Sequence, residues 1–279
     1  MKTLRRLFTI KYEIILVIAA VLIQLFVPVF IEIPLEGWDV PEHVIVHTSH
    51  IIGSVITGIF IIAAGRINSN IRQTTVLGDT DFGPVGVGLA GAFAWMFFIS
   101  GAAAIASCFT DNELFTSGNV ASGYAELDMM GKAISLFSIA IAAPLIEELI
   151  FRGMLMGALR KVFTLHVSVI VTALCFGLIH GTSIPTVAFA TGMGLILGYT
   201  LVVSGSLQNC ILVHMIYNAV STFRAMQTLP DTADVDLSAM APSIILASVI
   251  LMLIAVGVLA LVVRWYYKEV LHATSNSKK

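Results

Sequence analysis

Two adjacent glutamates and an arginine lie near the end of one apolar segment of the chain. That segment reads Pro144-Leu145-Ile146-Glu147-Glu148-Leu149-Ile150-Phe151-Arg152-Gly153. Ionised side chains are costly in hydrocarbon, so they persist where they are paired, face a wet cavity or take part in chemistry. Residues four apart share one face of a helix, so Glu148 can pair with Arg152, whereas Glu147 is turned about 100° away. We therefore expect Glu147 to be the carboxylate that is free to react.

Two histidines and an asparagine occur in later apolar segments. One segment ends with Phe176-Gly177-Leu178-Ile179-His180, and another contains His214-Met215-Ile216-Tyr217-Asn218. Positions 147 and 180 are equally far from the basic turn near residue 163, so Glu147 and His180 lie level with each other in an antiparallel helix pair. The spacing therefore predicts that these two side chains meet.

His214 is harder to place by counting. It lies only about 10 Å along a helix from Leu207, where its segment begins, so straight helices would leave it above His180 by a similar distance. Helix tilt, an aqueous cleft from the cytoplasm or a broken helix near 198–205 would each close that gap. His214 and Asn218 are four residues apart and share a helix face. Together with Glu147 they form a candidate cluster.

A carboxylate beside an imidazole in a partly dry cavity is suited to polarising a water molecule. Glu147 would act as general base, and His180 would orient the water or share its proton. His214 and Asn218 carry N–H donors that could stabilise an oxyanion as water adds to a peptide carbonyl. Glu147, His180 and His214 could instead hold a divalent metal such as zinc, although the metalloprotease spacing of two histidines flanking a glutamate is absent. Both mechanisms describe a hydrolase.

A second histidine group begins the second apolar segment. His43, His47 and His50 have the i, i+4, i+7 spacing that puts side chains on one helix face. They could bind a metal near the outer surface, but the sequence fixes no carboxylate or cysteine ligand beside them. Lining of a polar cavity or an interfacial position explains the same pattern.

The composition indicates an integral membrane protein. Of the 279 residues, 58% are hydrophobic and 11% are charged, against about 25% charged in soluble domains. The net charge of -2 argues against nucleic-acid binding. The three cysteines lie apart in apolar segments and form neither a disulfide framework nor a zinc motif, so we interpret them as small core residues. The expected partners are the lipid bilayer and a substrate.

Eight apolar segments are each near the ~20 residues that span a bilayer. They are about 14–31, 44–64, 85–108, 133–151, 166–181, 186–203, 207–225 and 243–265. Of the 15 lysines and arginines, 13 fall at the N-terminus, in 65–84, in 152–165, or at or after the end of the last segment, where Arg264 lies. These regions share one side of an eight-span protein, so the positive-inside rule predicts that both termini are cytoplasmic.

The other side carries the acidic loops. Their acidic residues are Glu32, Glu36, Asp39, Glu42, Asp111, Glu113, Glu126, Asp128, Asp231, Asp234 and Asp236. Loops 109–131 and 231–236 could screen partners there. We predict an all-α, multi-pass protein with one integral membrane domain over 1–279 and with a site that opens toward the cytoplasmic leaflet. Its motifs fall within about 132–225, and 1–131 and 243–267 supply additional transmembrane helices.

The three motifs, in this order, resemble those of one family of membrane proteases. Glu147-Glu148-x-x-x-Arg152, Phe176-x-x-x-His180 and His214-x-x-x-Asn218 are similar to the motifs of the CPBP family of intramembrane proteases. That family includes the type II CAAX prenyl endopeptidases of Ras-converting-enzyme type and bacterial homologues tied to bacteriocin immunity or peptide processing. The resemblance implies that Glu147 activates water, His180 assists it, His214 and Asn218 form an oxyanion pocket, and Glu148, Arg152 and Phe176 hold the architecture.

The resemblance also implies an activity. An intramembrane endopeptidase would hydrolyse a bond in a peptide or protein substrate, lipidated or not, in the plasma membrane if the source is a prokaryote. Zinc remains an alternative to direct activation of water, because the family is often called metalloprotease-like. Two other function classes use the same residues: a non-catalytic immunity-type membrane protein, and a proton-coupled transporter. Carriers usually have repeated halves, and this chain shows none. A non-catalytic member would be expected to have lost a motif residue, and this chain keeps all of them.

Overall fold

The computed structural model describes residues 10–35, 38, 40–110, 112, 124, 127–181, 183–227 and 237–276. Within these residues the protein is helical and contains no strand, so the all-α prediction is confirmed. We number the helices α1 Lys11–Leu35, α2 Glu42–Ile67, α3 Ser69–Thr74, α4 Phe82–Ser107, α5 Met129–Leu159, α6 Leu165–Ile179, α7 Ile184–Ser204, α8 Leu207–Gln227 and α9 Leu237–Asn276.

Each of the eight predicted apolar segments coincides with one helix. Six helices are long and apolar enough to cross a bilayer, namely α1, α2, α4, α5, α7 and α9. The helix α6 is apolar but has only 15 residues, and α8 carries polar side chains along its length. The protein is therefore an integral, multi-pass membrane protein, while the count of eight spans and the cytoplasmic termini stay predictions.

Several sequence-based expectations fall outside the described residues. They concern the basic N-terminal residues, most of the 109–131 loop and the whole of 231–236. The idea that these two loops screen partners therefore stays a prediction. Among the acidic residues of that side, Glu32 is described and accepts a hydrogen bond from Ser49 Oγ at 2.5 Å.

The helix α5, which carries the two glutamates, is not a uniform α-helix. Its turns at Ser138–Ala142 and Leu149–Leu155 are π-helical, on either side of the α-helical stretch Ala143–Glu148. Pro144 has no N–H to donate along the helix, which weakens the regular ladder at the first of these turns. π-Helical turns inside α-helices are frequent at functional sites. The glutamates thus lie between two irregular turns.

The helix α8 begins inside the bundle rather than at its surface. Leu207 and Asn209, at its start, are buried, and the segment 75–81 covers them, with Asp81 N donating to Asn209 Oδ1 at 3.0 Å. Counting from a surface start therefore placed His214 wrongly. The helix α7 is unbroken up to its last residue, so a break near 198–205 is not what brings His214 level with the glutamates.

Small residues let α6 and α7 pack closely. A Cβ atom on Gly194 would lie 2.8 Å from Ala173 Cα, and one on Gly198 would lie 2.8 Å from Val169 Cγ1. Small residues at four-residue spacing are typical of close contacts between transmembrane helices. One apolar core lies mainly among α1, α2, α5 and α6, and a second lies among α4, α7 and α8. The candidate site occupies the boundary between the two cores.

Candidate active site

Glu147 lies between the two histidines that the sequence singled out. Its Oε2 is 3.8 Å from His180 Nε2 and 3.8 Å from His214 Nε2. These separations are too long for direct hydrogen bonds, but one water molecule can bridge groups at such distances. The Glu147 side chain keeps 19% of its surface exposed. The predicted meeting of Glu147 with His180 is confirmed, and His214 completes the group.

Glu148 is the buried partner of two other groups. Its Oε1 accepts hydrogen bonds from Arg152 Nη1 at 2.8 Å and from His214 Nδ1 at 2.9 Å. The Glu148 and Arg152 side chains are both 0% exposed, so the pair predicted from the four-residue spacing is confirmed. Arg152 Nη2 also donates to Gly194 O at 3.1 Å. These bonds fix α5 against α7 and α8.

The hydrogen bonds of the two rings assign their protons. His180 Nδ1 is 2.6 Å from Phe176 O, and a carbonyl oxygen only accepts, so Nδ1 is the donor. His214 Nδ1 donates to the Glu148 carboxylate for the same reason. Each ring therefore turns its Nε2 toward Glu147. A neutral ring presents a lone pair there, and a protonated ring presents an N–H.

Phe176 separates the buried arginine from the two histidines. Its ring centroid lies 4.3 Å from that of His180, and the Arg152 guanidinium lies 4.6 Å from it. Phe151 packs edge-on against the same ring at 5.2 Å. A cation over an aromatic face is attracted by the ring quadrupole. This packing suits the structural role expected for Phe176.

Asn218 reaches across from α8 to the irregular turn of α5. Its Nδ2 donates to Ile139 O at 3.0 Å, and the residue also lines the cavity beside Glu147. A side-chain amide carries two N–H groups. One of them holds the π-helical turn, which leaves the other for a ligand in the cavity.

One cavity of about 470 Å³ is lined by Glu147, Phe176, His180, His214 and Asn218. Its lining also includes His47, His50, Tyr124, Ser138, Thr186, Phe189, Ala190, Met193 and Tyr217. The cavity runs from Glu147 toward the end of the bundle where α2 and α5 begin and α6 ends, whereas Arg160 lies at the other end of α5. The cavity therefore lies away from the basic end of the bundle, and the leaflet toward which it opens stays a prediction. It lies there because His180 follows the last residue of α6, far from the basic turn.

The histidines of α2 separate into two environments. His47 and His50 line the cavity, and the His47 ring lies 6.1 Å from that of Tyr124. His43 is not part of the lining, and its Nε2 is buried without a hydrogen-bond partner among the described residues. The cavity-lining interpretation therefore fits two of the three.

The metal alternative concerns the same three side chains. Among the described residues, no group of three or more His, Cys, Asp or Glu side chains is already spaced as a metal site. Glu147 Oε2 nevertheless lies 3.8 Å from Nε2 of both His180 and His214, and carboxylate oxygens and imidazole nitrogens are zinc ligands. A metal held by Glu147, His180 and His214 therefore stays a prediction, as does a water molecule bridging the same atoms.

Sequence reasoning did not predict the aromatic wall of the cavity. Tyr217 packs against Phe93 and Phe189, with ring centroids 5.4 Å apart in each case. Aromatic residues in apolar helices have no distinctive spacing, so their position at the site emerges only from the packing of α4, α7 and α8. The contact between His214 and Glu148 was also missed, because spacing along one helix does not specify contacts with another.

Comparison with known proteins identifies the segment that holds these residues. Residues 130–220 match the family model described as type II CAAX prenyl endopeptidase Rce1-like. Neither curated proteins nor solved structures gave a significant match to the chain. The matched segment contains α6, α7 and most of α5 and α8, with all seven motif residues. Over residues 130–220, the chain is therefore similar to the type II CAAX prenyl endopeptidases, a family of membrane peptidases.

Proposed function

We propose that this protein is an intramembrane endopeptidase in which Glu147 activates the attacking water without a metal. One observation carries the proposal: the Glu147 carboxylate lies 3.8 Å from Nε2 of both His180 and His214, at the base of a cavity of about 470 Å³. A water in this gap can contact a base and an orienting imidazole at once. Room remains in the cavity for a peptide segment.

His214 acts as a hydrogen-bond donor in this proposal. Its ring lies between two carboxylates, with Nδ1 2.9 Å from Glu148 Oε1 and Nε2 3.8 Å from Glu147 Oε2. A ring that donates from both nitrogens suits a position between two acceptors. Its Nε2–H then faces the cavity.

His180 has a different role in this proposal. Its Nδ1 donates to a backbone carbonyl, so a neutral ring turns the lone pair of Nε2 toward the gap beside Glu147. His180 accepts a hydrogen bond from one O–H of the water, and Glu147 accepts one from the other O–H. Both hydrogens of the water are then held, and the lone pairs of its oxygen are directed at the substrate.

The hydrolysis follows from these positions. Glu147 removes a proton from the water while the water oxygen bonds to the scissile carbonyl carbon. The carbonyl oxygen becomes an oxyanion. The His214 Nε2–H and the second N–H of Asn218 stabilise that oxyanion. The tetrahedral intermediate then breaks its C–N bond, and the proton held by Glu147 passes to the leaving amine. The products are a carboxylic acid and an amine, and Glu147 is ionised again.

A cleavage assay with purified protein tests this proposal. Quenched-fluorescent peptides, with and without a farnesylated cysteine, are presented to wild type, Glu147→Gln and His180→Ala in detergent. We expect both variants to lose about 100-fold or more in kcat, because general acid–base groups contribute roughly that much. A chelator should leave the wild-type rate unchanged.

A matched control excludes a general effect of histidine loss. His166 is exposed and is 2.9 Å from the Tyr199 hydroxyl, outside the cavity. His166→Ala should cleave at the wild-type rate, and all variants should retain their thermal transitions. Unchanged cleavage by Glu147→Gln would refute the assignment of the base. Loss of activity on chelation, restored by zinc, would replace this mechanism with a metal-dependent one.

A further inference from the structure

A second pocket lies at the opposite end of the bundle from the catalytic cavity. It has a volume of about 460 Å³, which is within the usual range of ligand sites at about 300–1,000 Å³. The last turns of α5 form one wall, α3 forms another, and the junction of α7 and α8 closes it. The lining includes Asn70, Gln73 and Thr74 together with Arg152, Arg160 and Lys161.

The charge around this pocket is positive. Its described lining contains three basic residues and no acidic one. Arg152 is paired with Glu148, and Lys161 is paired with Glu13 at 2.8 Å. The Arg160 side chain is exposed and has no hydrogen-bond or ion-pair partner among the described residues, although its backbone N–H donates to Met156 O at 3.0 Å. One full positive charge is therefore unmatched at this site.

Two buried N–H donors of the lining residues also lack acceptors. Asn70 Nδ2 and Arg152 Nε are buried, and neither has a hydrogen-bond partner within the described part of the chain. Arg152 as a whole is only 1% exposed. Unsatisfied buried donors are rare in native proteins, and each needs an explanation such as a bound water or ion. Here both donors belong to residues that line the same positively charged pocket.

From these features we infer that the pocket binds a phosphate group, either the headgroup of an anionic phospholipid or a free phosphate. Phosphate oxygens are strong acceptors that suit guanidinium and amide donors. The apolar side chains of Val76, Met156 and Val202 in the lining suit the start of an acyl chain. Basic pockets between transmembrane helices are a recurrent type of lipid-headgroup site. The proposed catalytic steps do not use this pocket, although Arg152 lines it and also pairs with Glu148.

Native mass spectrometry tests the inference with phosphatidylglycerol and phosphatidylcholine as probes. Purified protein in a neutral detergent is titrated with each lipid, and retained lipid is counted. A parallel arm measures thermal stability with inorganic phosphate against chloride at equal ionic strength. The variants are Arg160→Gln and Asn70→Ala. The matched control is Arg72→Gln, on α3 and exposed but not part of the lining.

The expected result separates a built site from general surface charge. Wild type should bind one phosphatidylglycerol about tenfold more tightly than phosphatidylcholine, since a hydrogen bond to a charged group contributes roughly that factor. Both pocket variants should lose this preference, although Asn70→Ala changes no charge, while Arg72→Gln should keep it. A response to phosphatidylglycerol alone identifies a lipid headgroup, and stabilisation by inorganic phosphate alone identifies a free anion.

Two outcomes would overturn the inference. One is equal weakening in Arg72→Gln and Arg160→Gln with no effect of Asn70→Ala, because that pattern describes a diffuse basic surface. The other is the absence of both a lipid preference and a phosphate effect in the wild type. Neither outcome tests the proposed protease activity, because these experiments measure binding and thermal stability and not cleavage.

Discussion

Glu147 and Glu148 are neighbours in the chain, but the fold gives them opposite surroundings. Glu148 is fully buried and accepts hydrogen bonds from Arg152 and His214. Glu147 faces the cavity and has only the two imidazole Nε2 atoms near its Oε2. Paired carboxylates with different environments take different roles in many enzymes. Here the rotation of about 100° between successive helical residues separates a structural carboxylate from a reactive one.

Loss of the Glu148 charge should destabilise the protein strongly. Glu148→Gln leaves the buried Arg152 guanidinium without its counterion, and removal of one member of a buried pair costs about 3–5 kcal/mol. Thermal unfolding in detergent, followed by circular dichroism, measures the effect. Glu13→Gln is the matched control: the Glu13 side chain is 7% exposed, but its partner Lys161 is 38% exposed, so water can solvate the ammonium group that loses its partner and the loss of stability should be smaller. An equal loss of thermal stability in Glu148→Gln and Glu13→Gln would contradict the larger contribution assigned to the buried pair of Glu148 with Arg152.

Asn218 should act on the reaction rather than on the fold alone. Asn218→Ala removes one donor to the oxyanion, which costs about 100-fold in kcat in other hydrolases. Asn209, on the same helix, holds the 75–81 segment and does not line the cavity. Asn209→Ala should therefore lower the thermal transition but keep kcat near the wild-type value. Steady-state kinetics on one fluorescent peptide distinguishes them, and a similar kcat for both variants would refute the donor role.

The residue-scale relations that could be predicted are those within one helix or across one tight turn. The four-residue spacing predicts the pair of Glu148 with Arg152, and equal counts from the basic turn predict the meeting of Glu147 with His180. His214 could not be placed this way, because the depth at which α8 starts depends on the 75–81 segment. The role of His47 and His50 likewise depends on how α2 packs, which no motif specifies.

At the scale of helices, the contact between α6 and α7 positions most of the site. α6 carries Phe176 and leads directly into His180, and α7 supplies the Gly194 carbonyl that binds Arg152. Apolar length predicted these two helices, as the segments 166–181 and 186–203. The π-helical turns of α5 were not predicted, because they depend on partners such as Asn218 that lie elsewhere in the chain.

A methyl group at this contact should disrupt it. Gly194→Ala would put Cβ 2.8 Å from Ala173 Cα, so the helices must move apart, and overpacking typically costs about 1–3 kcal/mol. We expect a lower thermal transition and weaker cleavage, since Arg152 loses its carbonyl acceptor. Gly257→Ala on α9 has no atom within 4 Å of the new Cβ and should be neutral. A destabilised Gly257→Ala with an unaffected Gly194→Ala would contradict the close contact.

At the scale of the whole molecule, the two pockets divide the bundle into a catalytic end and a basic end. The early turns of α2, α5 and α7 line the catalytic cavity, and the last turns of α5 and α7 line the basic pocket. The positive-inside rule predicts that the basic end is cytoplasmic. If that prediction holds, the cavity faces the opposite leaflet, and substrate would approach Glu147 from that side.

Single-cysteine labelling tests this orientation. In a background with Cys108→Ser, Cys175→Ser and Cys210→Ala, one variant adds Gln73→Cys at the basic end. The other adds Met129→Cys at the first residue of α5, where the side chain is 83% exposed. A membrane-impermeant maleimide added to intact bacterial host cells should label position 129 at once. Position 73 should react only after permeabilisation.

The labelling result decides which compartment supplies the substrate. The basic end is strongly favoured as cytoplasmic because 13 of the 15 lysines and arginines lie on one side of the eight-span arrangement. Labelling of position 73 alone in intact cells would invert the topology and open the cavity to the cytoplasm. Labelling of both positions would contradict a single orientation. With position 129 labelled alone, peptides added outside intact cells should be cleaved by the wild type and not by Glu147→Gln, since the cavity and the label share one side of the membrane.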